Sequence, residues 1–170
     1  MSKIQVSMKI KNYGEILLEL YPEVAPNTVA NFLTYVNENL YNGLIFHRVI
    51  KGFMIQGGGT HKNLKPIKGE FASNGFKNDL KHEPGVISMA RTMMPNSATS
   101  QFFIMHKSAP HLDGNYAAFG KVIEGFEIVD KIANVKTDQF DQPFEDVIIE
   151  TVEILDKDYQ IKEVEYLWKK

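Results

Sequence analysis

The sequence predicts a mainly β protein in which about seven or eight short strands form an antiparallel sandwich or a closed barrel, accompanied by two helices. Two observations predict this fold class. Apolar segments of strand length recur along the chain and most are joined by turns. Only two segments have the spacing of an amphipathic helix. Because parallel strands need long crossovers, usually helical, this pattern favours antiparallel pairing, and 170 residues suit a single domain.

The first two strands are predicted over 4–10 and 15–20. Apolar and polar residues alternate in "IQVSMKI", which is typical of an antiparallel strand with one buried face. The segment "NYG" at 12–14 suits a turn, and apolar residues alternate again in "EILLEL". Together these segments indicate a β-hairpin.

Two helices are predicted from apolar residues that recur every three or four positions. Pro26 disfavours a helical conformation at Ala25. Asn27 or Thr28 is the predicted N-cap of the helix that follows. Its apolar face continues to about Asn39. The second helix is predicted within "EGFEIVDKIANV" at 124–135.

Six further strands are predicted along the rest of the chain. They cover 44–50, 53–56, 85–91, 101–106, 116–122 and 146–155, the last with a bulge near Thr151 where the alternation shifts. The Gly- and Lys-rich stretch 57–84 indicates a long loop with little regular structure. After Leu155 the chain is charged, and Val164, Leu167 and Trp168 could form a weak amphipathic turn.

Composition and charge argue against several classes of protein. A net charge of -2, with lysines and acids interleaved, gives no surface for nucleic acid. Without cysteine there is neither a disulfide nor a thiolate metal site, and the five histidines lack metal-binding spacing, so no metal or cofactor is expected. "GGGTHK" lacks the spacing of a phosphate loop, and no G-x-S-x-G is present. The N-terminal segment suits neither a signal peptide nor a membrane span, so a cytoplasmic protein is predicted.

Two polar side chains, Arg48 and Gln56, interrupt otherwise apolar strand segments. Burying either without a partner would be costly. Both have a structural interpretation, in which the Arg48 stem packs along the sheet and Gln56 bonds a nearby loop. In the same way, Gln101 could be a polar lead-in to a strand, and His111 alone is more typical of a surface histidine than of a catalyst.

Four segments together resemble the cyclophilin family of peptidyl-prolyl cis-trans isomerases: "FHRVIKGFMIQGG", "ISMART", "SATSQFFI" and "HLDGNYAAFGKVIEG". They occur in the family's order, and the resemblance runs from about Ile4 to Leu155. The wording "ART…SATSQFF" is similar to the bacterial cytoplasmic branch. The resemblance implies an eight-stranded antiparallel closed β-barrel capped by two α-helices. It also implies an isomerase domain over 1–155 and a charged C-terminal extension over 156–170.

The resemblance places the site on the outer face of the barrel. Arg48 is expected to donate a hydrogen bond to the prolyl nitrogen of a twisted amide, and Gln56 to orient Arg48 and bond the substrate backbone. Substrate contacts are expected from Phe53, Met54, Ala90, Arg91, Gln101, Phe103, His111, Leu112 and Tyr116. Since rotation breaks no covalent bond, neither a nucleophile nor a metal is required.

The chain departs from the family pattern at two site positions. His111 stands where many relatives have a tryptophan that contacts cyclosporin, so weak cyclosporin binding is expected. Tyr116 stands where many have histidine. The expected partners are proline-containing peptides and unfolded or folded proteins, with the chain acting as a monomer.

Three functions are considered. The first is an active prolyl isomerase that assists protein folding, the second a non-catalytic proline-peptide binding module or chaperone, and the third a β-barrel carrier of small molecules. The intact Arg48 favours the first over the second, because a degenerate member would be expected to lose it. A carrier would need an interior cavity, which bulky residues such as Ile16, Leu18 and Phe46 would fill.

Overall fold

The computed structural model describes residues 2–168, and it contains eight strands and two α-helices in that range. The elements in chain order are β1 (Ile4–Ile10), β2 (Gly14–Leu20), α1 (Pro26–Asn37), β3 (Arg48–Ile50), β4 (Met54–Gly57), β5 (Val86–Met89), β6 (Phe102–Met105), β7 (Ala118–Glu124), α2 (Phe126–Ala133) and β8 (Ile149–Ile154). Single 3-10 turns occupy Ala72–Asn74 and Pro110–Leu112. Met1 and residues 169–170, the ends of the predicted domain and extension, lie outside the described residues. Within 2–168, none of the helices has the length and apolar character needed to cross a bilayer.

All eight strands belong to one antiparallel sheet in the order β3-β4-β6-β5-β7-β2-β1-β8. The sheet curls so that its two edge strands approach each other, and the edges meet at a short bridge just before β3 and β8. There the Phe46 N–H donates to the Val147 carbonyl at 3.0 Å and the Ile149 N–H donates to the Leu44 carbonyl at 2.7 Å. The predicted fold class is therefore confirmed. The barrel is closed by a short bridge between its edges rather than by a full strand ladder.

The barrel interior is packed with apolar side chains. Ile16, Leu18 and Phe46 are fully buried, as the alternation of their segments requires. The rings of Phe32 on α1 and Phe102 on β6 meet edge to face with centroids 5.7 Å apart. These side chains occupy the space that a carried small molecule would need, which argues against the carrier alternative.

The strands agree with the sequence pattern in position, and four of the eight (β3, β5, β6 and β8) are shorter than predicted. The largest differences are at 44–50 and 146–155, where only Arg48–Ile50 and Ile149–Ile154 form ladders. The expected irregularity in the last strand is present, since Lys9 pairs with Thr151 and Ile10 with Ile149, which leaves Glu150 as the extra residue. The long loop over 57–84 is confirmed as largely irregular.

The N-terminus of α1 is capped differently from the prediction. Pro26 is the first helical residue, and neither Asn27 nor Thr28 is the N-cap. Instead, the buried Glu70 carboxylate accepts the Thr28 N–H at 2.7 Å, the Thr28 hydroxyl at 2.6 Å and the Asn27 N–H at 3.2 Å. A carboxylate at this end also interacts favourably with the helix dipole. The predicted side-chain cap was wrong because a distant loop supplies it.

The segment after β8 runs back over α1 without forming a helical turn. Tyr159, Ile161, Val164 and Tyr166 pack against the main core, while Leu167 and Trp168 remain exposed. Asn27 holds the segment through two bonds to the main chain of Glu165, at 2.8 and 2.9 Å. The predicted amphipathic turn was therefore wrong, because the packing residues are spread along residues 159–166, which form no turn.

Candidate active site

Arg48 and Gln56 lie on the outer face of the sheet, outside the barrel core. Arg48 on β3 pairs with Gln56 on β4, and Gln56 pairs with Phe103 on β6. Because directly opposed residues of antiparallel strands point to the same face, these three side chains form one row. Their strand neighbours Val49 and Ile55 point inward and are buried. The outward direction explains how apolar strands accept two polar residues.

This row lines a groove with a volume of about 160 Å³. The lining residues are Arg48, Phe53, Met54, Gln56, Ala90, Arg91, Phe103, Leu112 and Tyr116. Two further predicted site residues adjoin the groove. Gln101 bonds Gln56, and the His111 ring stacks on Phe53 with centroids 5.9 Å apart. All of the predicted site residues are thus brought together at one place.

The polar side of the groove is a chain of three side chains. The Arg48 Nη1 donates to Gln56 Oε1 at 3.3 Å, and Gln56 Nε2 donates to Gln101 Oε1 at 2.8 Å. Arg48 is exposed, and among residues 2–168 no carboxylate forms an ion pair with it. A guanidinium oriented by an amide and not neutralised by an acid is well suited to donate to a ligand.

The apolar side of the groove is a small hydrophobic cluster separate from the barrel core. Met54, Phe103 and Leu112 are 2%, 5% and 6% exposed and pack together outside the sheet, with Phe53 and Tyr116 at the margin. A ligand ring placed here would meet mainly carbon and sulfur atoms. The groove therefore combines the Arg48 donor with an apolar wall.

Arg91 supports the wall near Tyr116. Its guanidinium lies 4.5 Å from the Tyr116 ring centroid and 4.9 Å from that of Phe71. Its Nη2 also donates to the Asn115 carbonyl at 2.6 Å. These contacts fix the loop that carries Tyr116, and the part played by Phe71 was not predicted from the sequence.

A buried histidine lies behind the groove, and sequence reasoning missed it. His82 Nδ1 lies 3.0 Å from Asp113 Oδ1 and its Nε2 lies 2.9 Å from Ser88 Oγ, while its ring stacks on Phe103 with centroids 6.0 Å apart. Burial lowers the pKa of His82, although the hydrogen bond with Asp113 opposes this shift. Ser88 is fully buried, so this Ser-His-Asp contact offers no nucleophile to a substrate.

A larger and shallower depression of about 880 Å³ lies elsewhere on the surface, lined by residues that include Lys3 and Tyr21. Its polar groups already have partners within the chain. Lys3 Nζ is 3.8 Å from a Glu19 carboxylate oxygen, and the Tyr21 hydroxyl donates to Glu19 at 2.8 Å. Size alone does not make this depression a site, whereas the groove has an oriented and unneutralised donor.

Comparisons with known proteins agree on one family. The family model described as cyclophilin type peptidyl-prolyl cis-trans isomerase matches residues 5–154. A peptidyl-prolyl cis-trans isomerase of Acinetobacter baylyi is 50% identical over 82% of this chain and 77% of its own length. Peptidyl-prolyl cis-trans isomerase B of Escherichia coli is 45% identical over 84% of this chain and 95% of its own.

A solved structure of a cyclophilin-type isomerase from Cryptosporidium parvum is similar to most of this chain. It superposes with a TM-score of 0.81 at 35% identity, covering 90% of this chain and 98% of that protein. A second structure of the Cryptosporidium protein, determined in the presence of the dipeptide Ala-Pro, gives a TM-score of 0.78 at 34% identity, covering 88% of this chain and 98% of that one.

Proposed function

Because the chain belongs to the cyclophilin-type peptidyl-prolyl cis-trans isomerase family, we propose that the groove beside Arg48 is its active site, where an Xaa-Pro bond is bound and rotated. The observation that carries this proposal is the position of the Arg48 guanidinium. It lies on the outer face of the sheet, bonded to Gln56 and beside the apolar wall that contains Phe103.

The reaction explains the need for a cationic donor. An Xaa-Pro bond rotates over tens to hundreds of seconds because rotation breaks amide conjugation. In the twisted transition state the prolyl nitrogen becomes pyramidal and regains a lone pair. A hydrogen bond from Arg48 to that nitrogen is stronger in the transition state than in either planar ground state, so it lowers the barrier.

The remaining groove residues hold the substrate for this step. Phe53, Met54, Phe103 and Leu112 receive the pyrrolidine ring, so that the residue before proline turns while the ring stays in place. Gln56 bonds the substrate backbone and orients Arg48. The wider substrate contacts comprise Ala90, Arg91, Gln101, His111 and Tyr116. An apolar wall also favours the twisted amide, which is less polar than the planar one.

One hydrogen bond does not account for the whole rate. A gain of about 10⁵-fold requires roughly 7 kcal/mol of transition-state stabilisation. A hydrogen bond to a charged group contributes only about 1.5–3 kcal/mol. Fixing the proline ring and excluding water from the amide must therefore supply the remainder.

The groove binds proline-containing peptides, as expected for a cyclophilin domain. We propose that its partners include unfolded and folded proteins, because the groove offers one ring pocket and mainly backbone contacts elsewhere. Since His111 replaces a tryptophan common in relatives, we propose that cyclosporin binds weakly. We also propose that the chain acts as a monomer, because its groove needs no residue from a second chain, and that it works in the cytoplasm, because a chain without cysteine does not need an oxidising environment.

We also propose that the isomerase domain comprises residues 1–155 and that 156–170 form an extension. The family model ends at residue 154, and the described part of the extension contacts α1 rather than the groove residues. Its role would be to support α1 and the neighbouring loop, where the Leu167 N–H donates to the Pro66 carbonyl at 3.1 Å.

The activity is tested by NMR exchange spectroscopy on an Ala-Pro tetrapeptide. Wild type should accelerate cis-trans exchange, Arg48→Ala should lose most of the acceleration while keeping its circular dichroism spectrum, and Lys131→Ala, which removes an exposed cation on α2, should match wild type. Peptide binding without acceleration in wild type would reject the catalytic proposal and leave a proline-binding module.

A further inference from the structure

His106 is buried outside the groove and is not used in the reaction described above. It follows β6, is 3% exposed, and is absent from the lining of the groove. Its main-chain N–H donates to the Phe53 carbonyl at 2.8 Å. Its ring contacts two other elements, the turn before Phe53 and helix α2.

The hydrogen bonds of the His106 ring define its tautomer. The Gly52 N–H donates to Nδ1 at 2.9 Å, and because a backbone N–H only donates, Nδ1 carries no proton. Nε2 therefore carries the proton and donates to Asp130 Oδ1 on α2 at 2.7 Å. This bond lowers the pKa of the Asp130 carboxyl. The ring also stacks on Phe126 of α2, with planes inclined by 16°.

The turn that His106 contacts leads directly into the groove. Ile50–Phe53 is closed by a hydrogen bond from the Phe53 N–H to the Ile50 carbonyl at 2.9 Å. Gly52 has a φ of 81°, which a type II turn requires at its third residue. The N–H of the central peptide has no acceptor within such a turn, and His106 Nδ1 supplies one. The next residue, Phe53, lines the groove.

We propose that His106 is a positioning residue of the isomerase. By accepting the Gly52 N–H, its Nδ1 holds the Ile50–Phe53 turn in the conformation that places the Phe53 ring in the proline groove. This inference rests on the proposed function of the groove. An apolar side chain of similar size would fill the space beside Phe126, but it would leave the Gly52 N–H without this acceptor.

Two substitutions at His106 separate this role from simple packing. His106→Asn keeps an oxygen near the position of Nδ1 and can still accept the Gly52 N–H. His106→Gln keeps a polar group near Nε2, toward Asp130, but has no acceptor near Nδ1. Both remove the ring that stacks on Phe126. His61→Gln, at an exposed histidine in the long loop, is the control for the same chemical change.

The first measurement compares kcat/KM and peptide affinity among these variants. His106→Gln should lose about fivefold in kcat/KM, mainly through a raised KM, whereas His106→Asn should stay within about twofold of wild type and His61→Gln should equal it. Equal losses in the Asn and Gln variants, or full activity in the Gln variant, would overturn the proposal. Thermal melts of both variants identify any loss that is due to unfolding.

A second measurement does not depend on activity or on the folding of a variant. The ¹⁵N chemical shifts of the wild-type His106 ring should show a protonated Nε2 and an unprotonated Nδ1, and a proton on Nδ1 would overturn the proposal. In folded variants, the Phe53 ring signals should shift in His106→Gln but not in His106→Asn. If wild type fails to accelerate exchange, the function of the groove is wrong, while these signals still decide whether His106 positions Phe53.

Discussion

Replacing Gln56 by methionine should slow catalysis more than replacing Gln101, and the two losses should not add. Gln56 lies between the other two members of the polar chain, with its Oε1 3.3 Å from Arg48 Nη1 and its Nε2 2.8 Å from Gln101 Oε1. Methionine keeps the length of the side chain but removes both hydrogen bonds. Gln101→Met removes only the outer bond and leaves Arg48 and Gln56 in contact.

The geometry gives the size of each loss. The Arg48–Gln56 bond is long and Arg48 is exposed, so we assign it about 1 kcal/mol, or roughly fivefold in rate. A substrate backbone bond from Gln56 contributes a similar factor, which brings the total for Gln56→Met to about 25-fold in kcat/KM. The main effect of Gln101, beside its outer contact with the substrate, is to orient Gln56, so Gln101→Met should cost about threefold or less.

The assay is NMR exchange of a proline tetrapeptide with the two single variants and the double variant. If Gln101 acts mainly through Gln56, the double variant should be little slower than Gln56→Met, because Gln101 then has no Gln56 side chain to orient. If the two losses multiply in the double variant, the glutamines act independently. This result would refute the claim that Gln101 acts through Gln56.

Three further results are expected. Glu70→Ala should lower the free energy of unfolding in urea by about 3 kcal/mol, because the buried N-terminal donors of α1 lose their acceptor, and a loss below about 1 kcal/mol would contradict the capping role. His82 has a pKa lowered by burial, so the unfolded chain binds more protons than the folded one below about pH 6.5. The free energy of unfolding of wild type, measured in urea, should therefore fall as the pH is lowered through this range. In His82→Gln it should fall less steeply with pH. An equally steep fall in both proteins would contradict a lowered pKa of His82. Truncation after Leu155 should lower the melting temperature by several degrees because α1 loses its covering segment. The truncated chain should keep its isomerase activity, and loss of activity in a folded truncated protein would contradict the proposed domain boundary.

Much of the groove could be predicted because its residues belong to compact sequence segments. Arg48, Met54 and Gln56 share a face because two short strands of one hairpin pair with each other. Their assignment as site residues, together with Phe53, came from the resemblance of "FHRVIKGFMIQGG" to the cyclophilin family. Phe103 then joins them through the pairing of β4 with β6. The fold class followed from the number of strands and the small number of helices.

The unpredicted features are pairings between distant segments. Glu70 caps a helix that begins more than 40 residues earlier, and no local pattern connects a loop carboxylate with the Asn27 and Thr28 N–H groups. His82 likewise meets Asp113, 31 residues later in the chain. Helix periodicity and capping preferences describe neighbours in sequence, whereas these contacts depend on how the long loop folds against the barrel.

The central claim is that Arg48 stabilises the twisted amide in preference to the planar substrate. The most direct measurement determines kcat and the peptide dissociation constant separately for wild type and Arg48→Ala, by NMR exchange at saturating peptide and by titration. Loss of a donor that acts in the transition state predicts a fall in kcat of about 10²-fold or more, with peptide affinity changed by less than about threefold. A dissociation constant that rises as much as kcat/KM falls, with kcat unchanged, would mean that Arg48 only binds substrate and would contradict the mechanism.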